Sequence, residues 1–204
     1  MDSCFIDVTV EFLAVAFHSI LYYAAVYPRS IFESRRKYNV VVYRSTHPKV
    51  NDYIDLCLKT ITECLKGGQM KRIELAVTNN KYEPMMKFIF DIDKCDNYDQ
   101  TTDAYLVQAE QNLRAFCLTL ASMQPKFKTP DDASFSIYLH TTESSVVTIA
   151  TNPDLEAFPL VPVEEKFEES DRILPLRRFI VRDHSFDTYI ELQDVQTETC
   201  DGMT

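Results

Sequence analysis

Side chains that could perform chemistry are few and widely spaced in this sequence of 204 residues. The histidines stand at positions 18, 47, 140 and 184, and none has a second ligand at the spacing that a zinc site uses. No GxSxG, HExxH or cysteine–histidine arrangement occurs. Phosphate-binding loops need glycine so that backbone N–H groups can approach the anion, and glycine occurs only at 67, 68 and 202. We therefore expect a protein that is not an enzyme and that uses no cofactor or metal.

An acidic stretch, DIDKCDNYD, places Asp91, Asp93, Asp96 and Asp99 close together. Carboxylates at this density could attract a cation, but the stretch lacks the glycine and the terminal glutamate of a calcium loop. Asp91 and Asp93 also fall at the end of a predicted strand. We interpret the stretch as a solvated loop.

A basic segment, formed by Arg29, Arg35, Arg36 and Lys37, lies between an apolar helix and a predicted strand. Cations in such a cluster could bind a phosphate backbone. The chain as a whole carries a formal charge of −10, and the segment lacks the interleaved aromatic residues and glycines of a nucleic-acid module. Direct DNA binding stays open as an alternative, while a corner of the fold with solvated charges is the simpler interpretation.

The cysteines and the N-terminus indicate a cellular compartment. Cysteines at 4, 57, 64, 95, 117 and 200 form no CxxC pair, which favours reduced, buried thiols of an intracellular protein. Asp2 and Asp7 stand where a secretory signal would carry positive charge. The longest apolar stretch is interrupted by His18 and Ser19, so we expect it to be too short to span a bilayer. The sequence predicts a soluble protein of the cytosol or nucleus.

Hydrophobic periodicity predicts the elements that position these side chains. The stretch from Ile6 to about Tyr27 is apolar on two faces, which is typical of a buried helix, and Pro28 would end it. A second helix follows the HP pair at 47–48 and stops at Gly67, and AYLVQAEQNLRAFCLTLASM forms a third. RIELAVT and MMKFIFDI are predicted to be two strands of a hairpin. The other predicted strands are KYNVVVY, SFSIYLHT, LPLRRFIVRD and FDTYIELQDV. Together they predict an α+β fold with three helices on one face of a mainly antiparallel sheet.

The composition changes after residue 150. The segment NPDLEAFPLVPVEEKFEESDR is rich in proline and acidic residues. Proline favours extended backbone and cannot continue a helix, so the segment is predicted to be a long extended crossing before the last two strands. The final TETCDGMT is predicted to be a loose tail.

Several longer strings are more specific than these patterns: VEFLAVAFHSILYYAAVYPRSIF, RRKYNVVVYRSTHPKVNDYI, KFIFDI, QNLRAF and DRILPLR. Together they resemble the HORMA-domain accessory subunits of DNA polymerase zeta, the mitotic-arrest-deficient-two-like family of translesion synthesis. The ILY…VYP…F element is general to HORMA domains, whereas the combination of KYNV with HP…N-YI and LRAF points to this branch. The similarity runs from about Asp7 to Asp93, resumes through the third helix, and returns from Asp171 to Glu191.

The resemblance implies a single HORMA domain over 1–204. Its core would cover about 6–141, a safety belt with the C-terminal strands about 142–195, and a loose tail 196–204. In this family the safety belt wraps over a partner peptide that adds as a strand at the sheet edge, which is β-augmentation with a topological lock. The resemblance therefore implies a non-catalytic adaptor. It would trap a proline-containing peptide of the catalytic subunit of DNA polymerase zeta and bridge to a second polymerase that acts as the translesion scaffold.

Three site residues come from the motifs of this family. Tyr53, in HPKVNDYI, matches an aromatic residue that lines the peptide pocket. Leu160, in EAFPLVP, falls where family members often carry a tryptophan that packs against the prolines of the peptide, so it is implied to be a second pocket residue, although this chain has no tryptophan. Arg114, in NLRAF, matches an arginine used in contacts between HORMA protomers, which implies that another HORMA protomer can be a partner.

The C-terminal strands carry the remaining implied site. Ile173, Asp187 and Tyr189 fall where the family receives the C-terminal domain of the scaffold polymerase, and at Asp187 the family more often carries a polar amide. The resemblance implies a nuclear and cytoplasmic protein without a membrane partner. One alternative in the same fold stays open, a cell-cycle checkpoint regulator that captures a peptide of a ubiquitin-ligase activator. A direct DNA-binding protein is the alternative of another class.

Overall fold

The computed structural model describes residues 3–68, 70–95, 104–141, 163, 172–181 and 183–193. These residues form an α+β fold, as the sequence predicts. In chain order the helices and strands are α1 (Ser3–Tyr23), β1 (Phe32–Lys37), β2 (Val40–Ser45), α2 (Pro48–Lys66), β3 (Met70–Thr78), β4 (Pro84–Lys94), α3 (Ala104–Met123), β5 (Ser134–Thr141), β6 (Arg172–Val181) and β7 (His184–Leu192). Short 3-10 turns occupy Arg29–Ile31 and Gln124–Lys126.

Helix α1 ends at Tyr23, earlier than the apolar pattern predicts. Ala25 adopts a left-handed backbone with φ 53°. The Ala25 amide donates to the Tyr22 carbonyl at 3.2 Å, and the Val26 amide donates to the Leu21 carbonyl at 3.1 Å. These two hydrogen bonds are those of a Schellman motif, which satisfies carbonyls at the end of a helix. The helix therefore ends several residues before Pro28.

Helix α1 is apolar on most of its surface because it lies inside the molecule. By length and composition alone it could cross a membrane, so the expectation that the stretch is too short is wrong. Most of the helix is buried, which is what a core helix with apolar residues on two faces requires. Phe12 marks the centre of this core, where its ring packs edge-on against Phe90, Phe116, Phe179 and Phe186.

His18 lies on α1 as a packed, hydrogen-bonded histidine. It is 4 % exposed, and its Nδ1 accepts a hydrogen bond from the Ser45 amide at 3.4 Å. Burial, together with the positive charges of Arg44 and Arg35, lowers the pKa of His18 to about 4. The imidazole is therefore neutral at physiological pH.

The basic segment lies mostly on a strand and not, as the sequence predicts, at a corner between helix and strand. Arg35, Arg36 and Lys37 lie on β1, which pairs antiparallel with β2 in a separate two-stranded sheet. Tyr38 and Asn39 join the strands with φ 50° and 56°, as the two central residues of a type I′ turn require. The sequence of β1, FESRRK, has no apolar alternation, so its strand character was not visible in the pattern.

Helix α2 matches its predicted limits. Pro48 occupies the first helical position, where its missing N–H costs nothing. Beyond Gly67, Gly68 adopts a left-handed backbone with φ 68° that glycine tolerates. The helix packs on α1 and also contacts β3 and β5.

The main sheet is antiparallel with strand order β5-β3-β4-β7-β6. β3 and β4 form the predicted hairpin, while β6 and β7 form a C-terminal hairpin that attaches to β4 through β7. The two edges are therefore β5 and β6. Alternate side chains point to the helices, and the opposite face of the sheet is called the far face here.

The cysteines agree only in part with the prediction. Cys57, Cys64 and Cys117 are buried, and burial raises their pKa values to about 11, 11 and 12, which keeps the thiols protonated and unreactive. Cys4 and Cys95 are only half-buried. Cys200 lies outside the described residues.

Candidate functional site

The edge strand β5 presents backbone groups that could pair with a further strand. It pairs with β3, with Leu75 opposite Ile137, and the described residues place no strand on its other side. The Ile137 amide donates to the Tyr53 hydroxyl at 3.4 Å, so this N–H points away from β3. An edge with outward N–H and C=O groups is the feature that β-augmentation uses.

Tyr53 lies where α2 meets this edge. Its ring contacts the Phe135 ring edge-on, with centroids 5.3 Å apart, and Tyr27 contacts the same Phe135 ring at 6.1 Å. Burial is the largest cause that raises the pKa of Tyr53 to about 12, so its hydroxyl stays protonated near neutral pH. The residue predicted to line a peptide pocket therefore belongs to an aromatic group that borders the edge strand.

The second predicted pocket residue, Leu160, lies outside the described residues. The described ends of the connection that carries it are Thr141, which closes β5, and Arg172, which opens β6. These two strands are opposite edges of the sheet. The connection between them therefore joins one edge of the sheet to the other.

The C-terminal hairpin, on the side of the sheet away from β5, carries the residues predicted to bind a scaffold polymerase. Asp187 and Tyr189 are two residues apart on β7 and share the far face, and Ile173 on β6 reaches the same face opposite Glu191. Ile173 is 60 % exposed, and Asp187 is exposed opposite Arg178. The structure thus brings the three predicted residues onto one surface of the C-terminal hairpin.

A polar triad on the far face was missed by sequence reasoning. Arg72 on β3 forms a two-point pair with Asp91 on β4, with Nε to Oδ1 at 2.6 Å and Nη2 to Oδ2 at 3.1 Å. Arg72 Nη2 also donates to the Tyr189 hydroxyl at 3.0 Å, and that hydroxyl donates to Asp91 Oδ2 at 3.1 Å. The triad joins three neighbouring strands and holds the C-terminal hairpin against β4. Its residues are far apart in sequence, so no local pattern could reveal it.

Arg114 is an exposed residue on α3. Val107, Gln111 and Leu118 lie on the same helical face at steps of three and four residues. Val107 is 61 % and Leu118 52 % exposed. Large apolar side chains beside an exposed arginine are typical of a protein contact surface, which is the role predicted for Arg114.

Acidic neighbours balance much of the basic segment. Arg35 Nε donates to Glu33 Oε1 at 2.8 Å, and Lys37 Nζ lies 2.9 Å from Glu11 Oε2. Glu110 and Glu11 also line an open cleft of about 550 Å³ beside the hairpin turn. These carboxylates weaken the attraction that the arginines and the lysine would exert on a phosphate backbone.

The basic segment has aromatic neighbours that the sequence reasoning did not expect. Tyr22 of α1 stacks on Tyr43 of β2 with ring centroids 3.4 Å apart, and it also meets Phe32 edge-on. The Arg29 guanidinium lies 5.3 Å from the centre of the Tyr22 ring, which is a cation–π distance. The rings pack on one another, so the group stabilises the junction of α1 with the hairpin.

Asp91 of the acidic stretch and two of the histidines lie beside side chains of opposite or complementary charge. Asp91 is engaged by Arg72, and Asp96 and Asp99 lie outside the described residues. His140 Nε2 lies 3.6 Å from Glu74 Oε2, and His184 Nδ1 lies 2.8 Å from an Asp183 carboxylate oxygen. Across the part of the chain that the structure describes, no group of three or more histidine, cysteine, aspartate or glutamate residues could hold a metal ion.

Comparison with known proteins places this architecture in a family. The model of the HORMA domain matches residues 6–151. The mitotic spindle assembly checkpoint protein MAD2B of Homo sapiens is 32 % identical over 174 residues, which cover 84 % of this chain and 82 % of that protein. The DNA polymerase zeta subunit 2 of Drosophila melanogaster is 25 % identical over 179 residues, covering 84 % and 89 %. This chain belongs to the HORMA family.

Solved structures show the same fold. A chain in the crystal structure of the mitotic checkpoint complex superposes with a TM-score of 0.78 at 16 % identity, covering 92 % of this chain and 98 % of that one. HTP-2 of C. elegans, solved with the HIM-3 closure motif bound, superposes with a TM-score of 0.68 at 11 % identity, covering 91 % and 89 %. The predicted family and α+β architecture are confirmed, and the family supports a protein-binding adaptor role.

Proposed function

We propose that this chain is the non-catalytic adaptor subunit of a translesion DNA polymerase zeta. In this role it captures a proline-containing peptide of the catalytic subunit as an added strand beside β5. The C-terminal hairpin on the other side of the sheet receives a second polymerase that acts as scaffold. Tyr53 and Leu160 contact the peptide, and the chain works in the nucleus and the cytoplasm.

The edge strand β5 carries this proposal. Its outward Ile137 amide and the aromatic group around Tyr53 offer a backbone partner and an apolar wall in one place. Such a combination suits an extended peptide, because main-chain hydrogen bonds supply affinity and side-chain pockets supply selectivity. Proline fits an aromatic wall and is tolerated at alternate peptide positions, where an added strand points its N–H away from the edge.

The connection between β5 and β6 supports capture under a safety belt. Four strand spacings of about 4.8 Å separate the two edges, or roughly 19 Å. The residues numbered 142–171 could span roughly 100 Å if fully extended. The connection is therefore several times longer than the distance between the two edges, and the extra length is enough to pass around a bound peptide.

The relatives support the choice of partner. The Drosophila relative is named as a subunit of DNA polymerase zeta. The HTP-2 structure contains a bound closure motif, which is a precedent for peptide capture in this fold. By this comparison the peptide of the catalytic subunit is the partner that we assign to the β5 edge.

Two further surfaces suit larger partners. The surface of Ile173, Asp187 and Tyr189 combines an exposed aliphatic side chain with a carboxylate and is assigned to the C-terminal domain of the scaffold polymerase. The α3 face with Arg114 and Leu118 is assigned to a second HORMA protomer. These surfaces lie on β6–β7 and on α3, whereas the peptide edge is β5.

A cell-cycle checkpoint regulator is the second candidate function. The human relative is named as a spindle assembly checkpoint protein, and one structural neighbour is a chain of the mitotic checkpoint complex. In this version the same edge captures a peptide of a ubiquitin-ligase activator. Direct DNA binding is less well supported, because Glu33 and Glu11 pair with two cations of the basic segment.

Tyr53→Ala tests the peptide site. Removing this half-buried ring should cost about 2–4 kcal/mol of binding free energy, a loss of roughly 30- to 1000-fold in affinity. The measurement is a pull-down with mass spectrometry from cells under DNA damage, followed by calorimetry with the peptide found. Tyr82→Ala is the control, because Tyr82 is 82 % exposed in the β3–β4 turn.

The outcome separates the candidates. Recovery of the catalytic subunit of DNA polymerase zeta by the wild type and the Tyr82 variant, but not by Tyr53→Ala, supports the adaptor. Recovery of mitotic regulators alone favours the checkpoint role. Unchanged peptide affinity in a folded Tyr53→Ala protein would show that the site is misplaced.

A further inference from the structure

The backbone direction of β5 follows from one hydrogen bond. The Ile137 N–H points to the outer edge, where it meets the Tyr53 hydroxyl. Backbone groups alternate along a strand, so those of Phe135 and Leu139 also point outward, while those of Ser136 and Tyr138 point to β3. An added strand opposite Ile137 must therefore bond to the same amide that the hydroxyl now holds.

The structure fixes this hydroxyl in place. The Tyr53 ring is held edge-on against Phe135, with ring centroids 5.3 Å apart, and Cys57 lies one helical turn further along α2. Cys57 is itself 4 % exposed. Helix α2 and the ring packing therefore hold the hydroxyl where it accepts the hydrogen bond of the Ile137 amide, so the side chain does not rotate freely.

We propose that the Tyr53 hydroxyl stands in for a strand at the β5 edge, holding the Ile137 amide until the carbonyl of a captured peptide replaces it. This inference rests on the proposed peptide capture. An edge strand with an unpaired amide is a template for unwanted pairing, including pairing with a second copy of the same chain. The hydroxyl makes every incoming strand displace one existing hydrogen bond, so weakly matching strands are disfavoured.

The same geometry assigns two separate roles to one residue. The ring supplies an apolar wall that favours the peptide, whereas the hydroxyl competes with the peptide for one amide. Tyr53→Ala removes both the ring and the hydroxyl, whereas Tyr53→Phe keeps the ring and removes the hydroxyl. The two variants should therefore change peptide affinity in opposite directions.

Amide hydrogen exchange followed by NMR tests the first half of the proposal without any peptide. In Tyr53→Phe the Ile137 amide should exchange roughly two- to tenfold faster than in the wild type, as expected for the loss of one hydrogen bond. The amides of Ser136 and Tyr138 should not change, because they point to β3. Tyr27→Phe is the matched variant, since it removes a hydroxyl beside the same Phe135 ring and should leave Ile137 unchanged. Equal Ile137 exchange in the wild type and Tyr53→Phe would overturn the proposal.

Calorimetry tests the second half, with a proline-containing peptide selected against the wild-type protein from a display library. Tyr53→Phe should bind this peptide roughly two- to tenfold more tightly. Equal or weaker binding by Tyr53→Phe would overturn the displacement step even if Ile137 exchange rises. If the library yields no peptide for the wild type, the proposed function fails, and the exchange result alone decides whether the hydroxyl holds the amide.

Discussion

Replacing Tyr189 by phenylalanine removes one hydroxyl that joins the C-terminal hairpin to the rest of the sheet. This hydroxyl accepts from Arg72 Nη2 at 3.0 Å and donates to Asp91 Oδ2 at 3.1 Å. The substitution retains the ring and the β7 backbone. The expected effect therefore reflects the two hydrogen bonds alone.

The size of the effect follows from the exposure of the triad. A hydrogen bond to a charged partner contributes about 1.5–3 kcal/mol when it is protected from water. Here the Arg72 side chain is 38 % and the Asp91 side chain 22 % exposed, and the two stay paired with each other after the substitution. We therefore expect Tyr189→Phe to lower the free energy of unfolding by about 1–2 kcal/mol. For a chain of this length the melting temperature should fall by roughly 2–8 °C.

Urea unfolding and thermal melts measure the loss, and hydrogen exchange of the β7 amides locates it. Tyr82→Phe is the control, because its exposed hydroxyl should change stability by less than about 0.5 kcal/mol. A double-mutant cycle with Asp91→Asn should show coupling between Asp91 and Tyr189. If Tyr189→Phe were as stable as Tyr82→Phe, the triad would not hold the hairpin, and the reasoning would be refuted.

Two further predictions concern the charged groups. Because unfolding returns the pKa of His18 from about 4 to its ordinary 6.5, the unfolded chain gains a proton that the folded protein excludes. The free energy of unfolding should therefore fall by up to about 3 kcal/mol as pH drops from 6.5 to 4. His18→Asn keeps an acceptor for the Ser45 amide but cannot take up this proton, so urea titrations at several pH values should show a smaller pH dependence of its stability. An equal slope in both proteins would contradict the burial of a neutral imidazole. Changing Arg35, Arg36 and Lys37 together to alanine should leave duplex-DNA affinity unchanged in anisotropy titrations over a range of salt, whereas a large loss with a shallower salt slope would favour the DNA-binding alternative.

The sequence by itself determined the elements whose signals are local. Pro48 and the glycines after Lys66 gave the limits of α2, and strand alternation gave β5 and the β3–β4 hairpin. Motif resemblance gave the family and the choice of Tyr53. Each of these signals lies within a short window, because helix caps, turns and side-chain periodicity depend on neighbouring residues.

Only the tertiary structure decided how the elements meet. The left-handed Ala25 ends α1, and β1 exists because β2 pairs with it, although its own sequence has no strand pattern. The strand order makes β5 an edge through its pairing with β3 and attaches the C-terminal hairpin to β4, and both pairings join residues more than fifty positions apart. Arg72 finds Asp91 and Tyr189, and Tyr53 finds the Ile137 amide, because strand pairing and helix packing bring them together. Such contacts are decided by the packing of the whole chain, which no short sequence window contains.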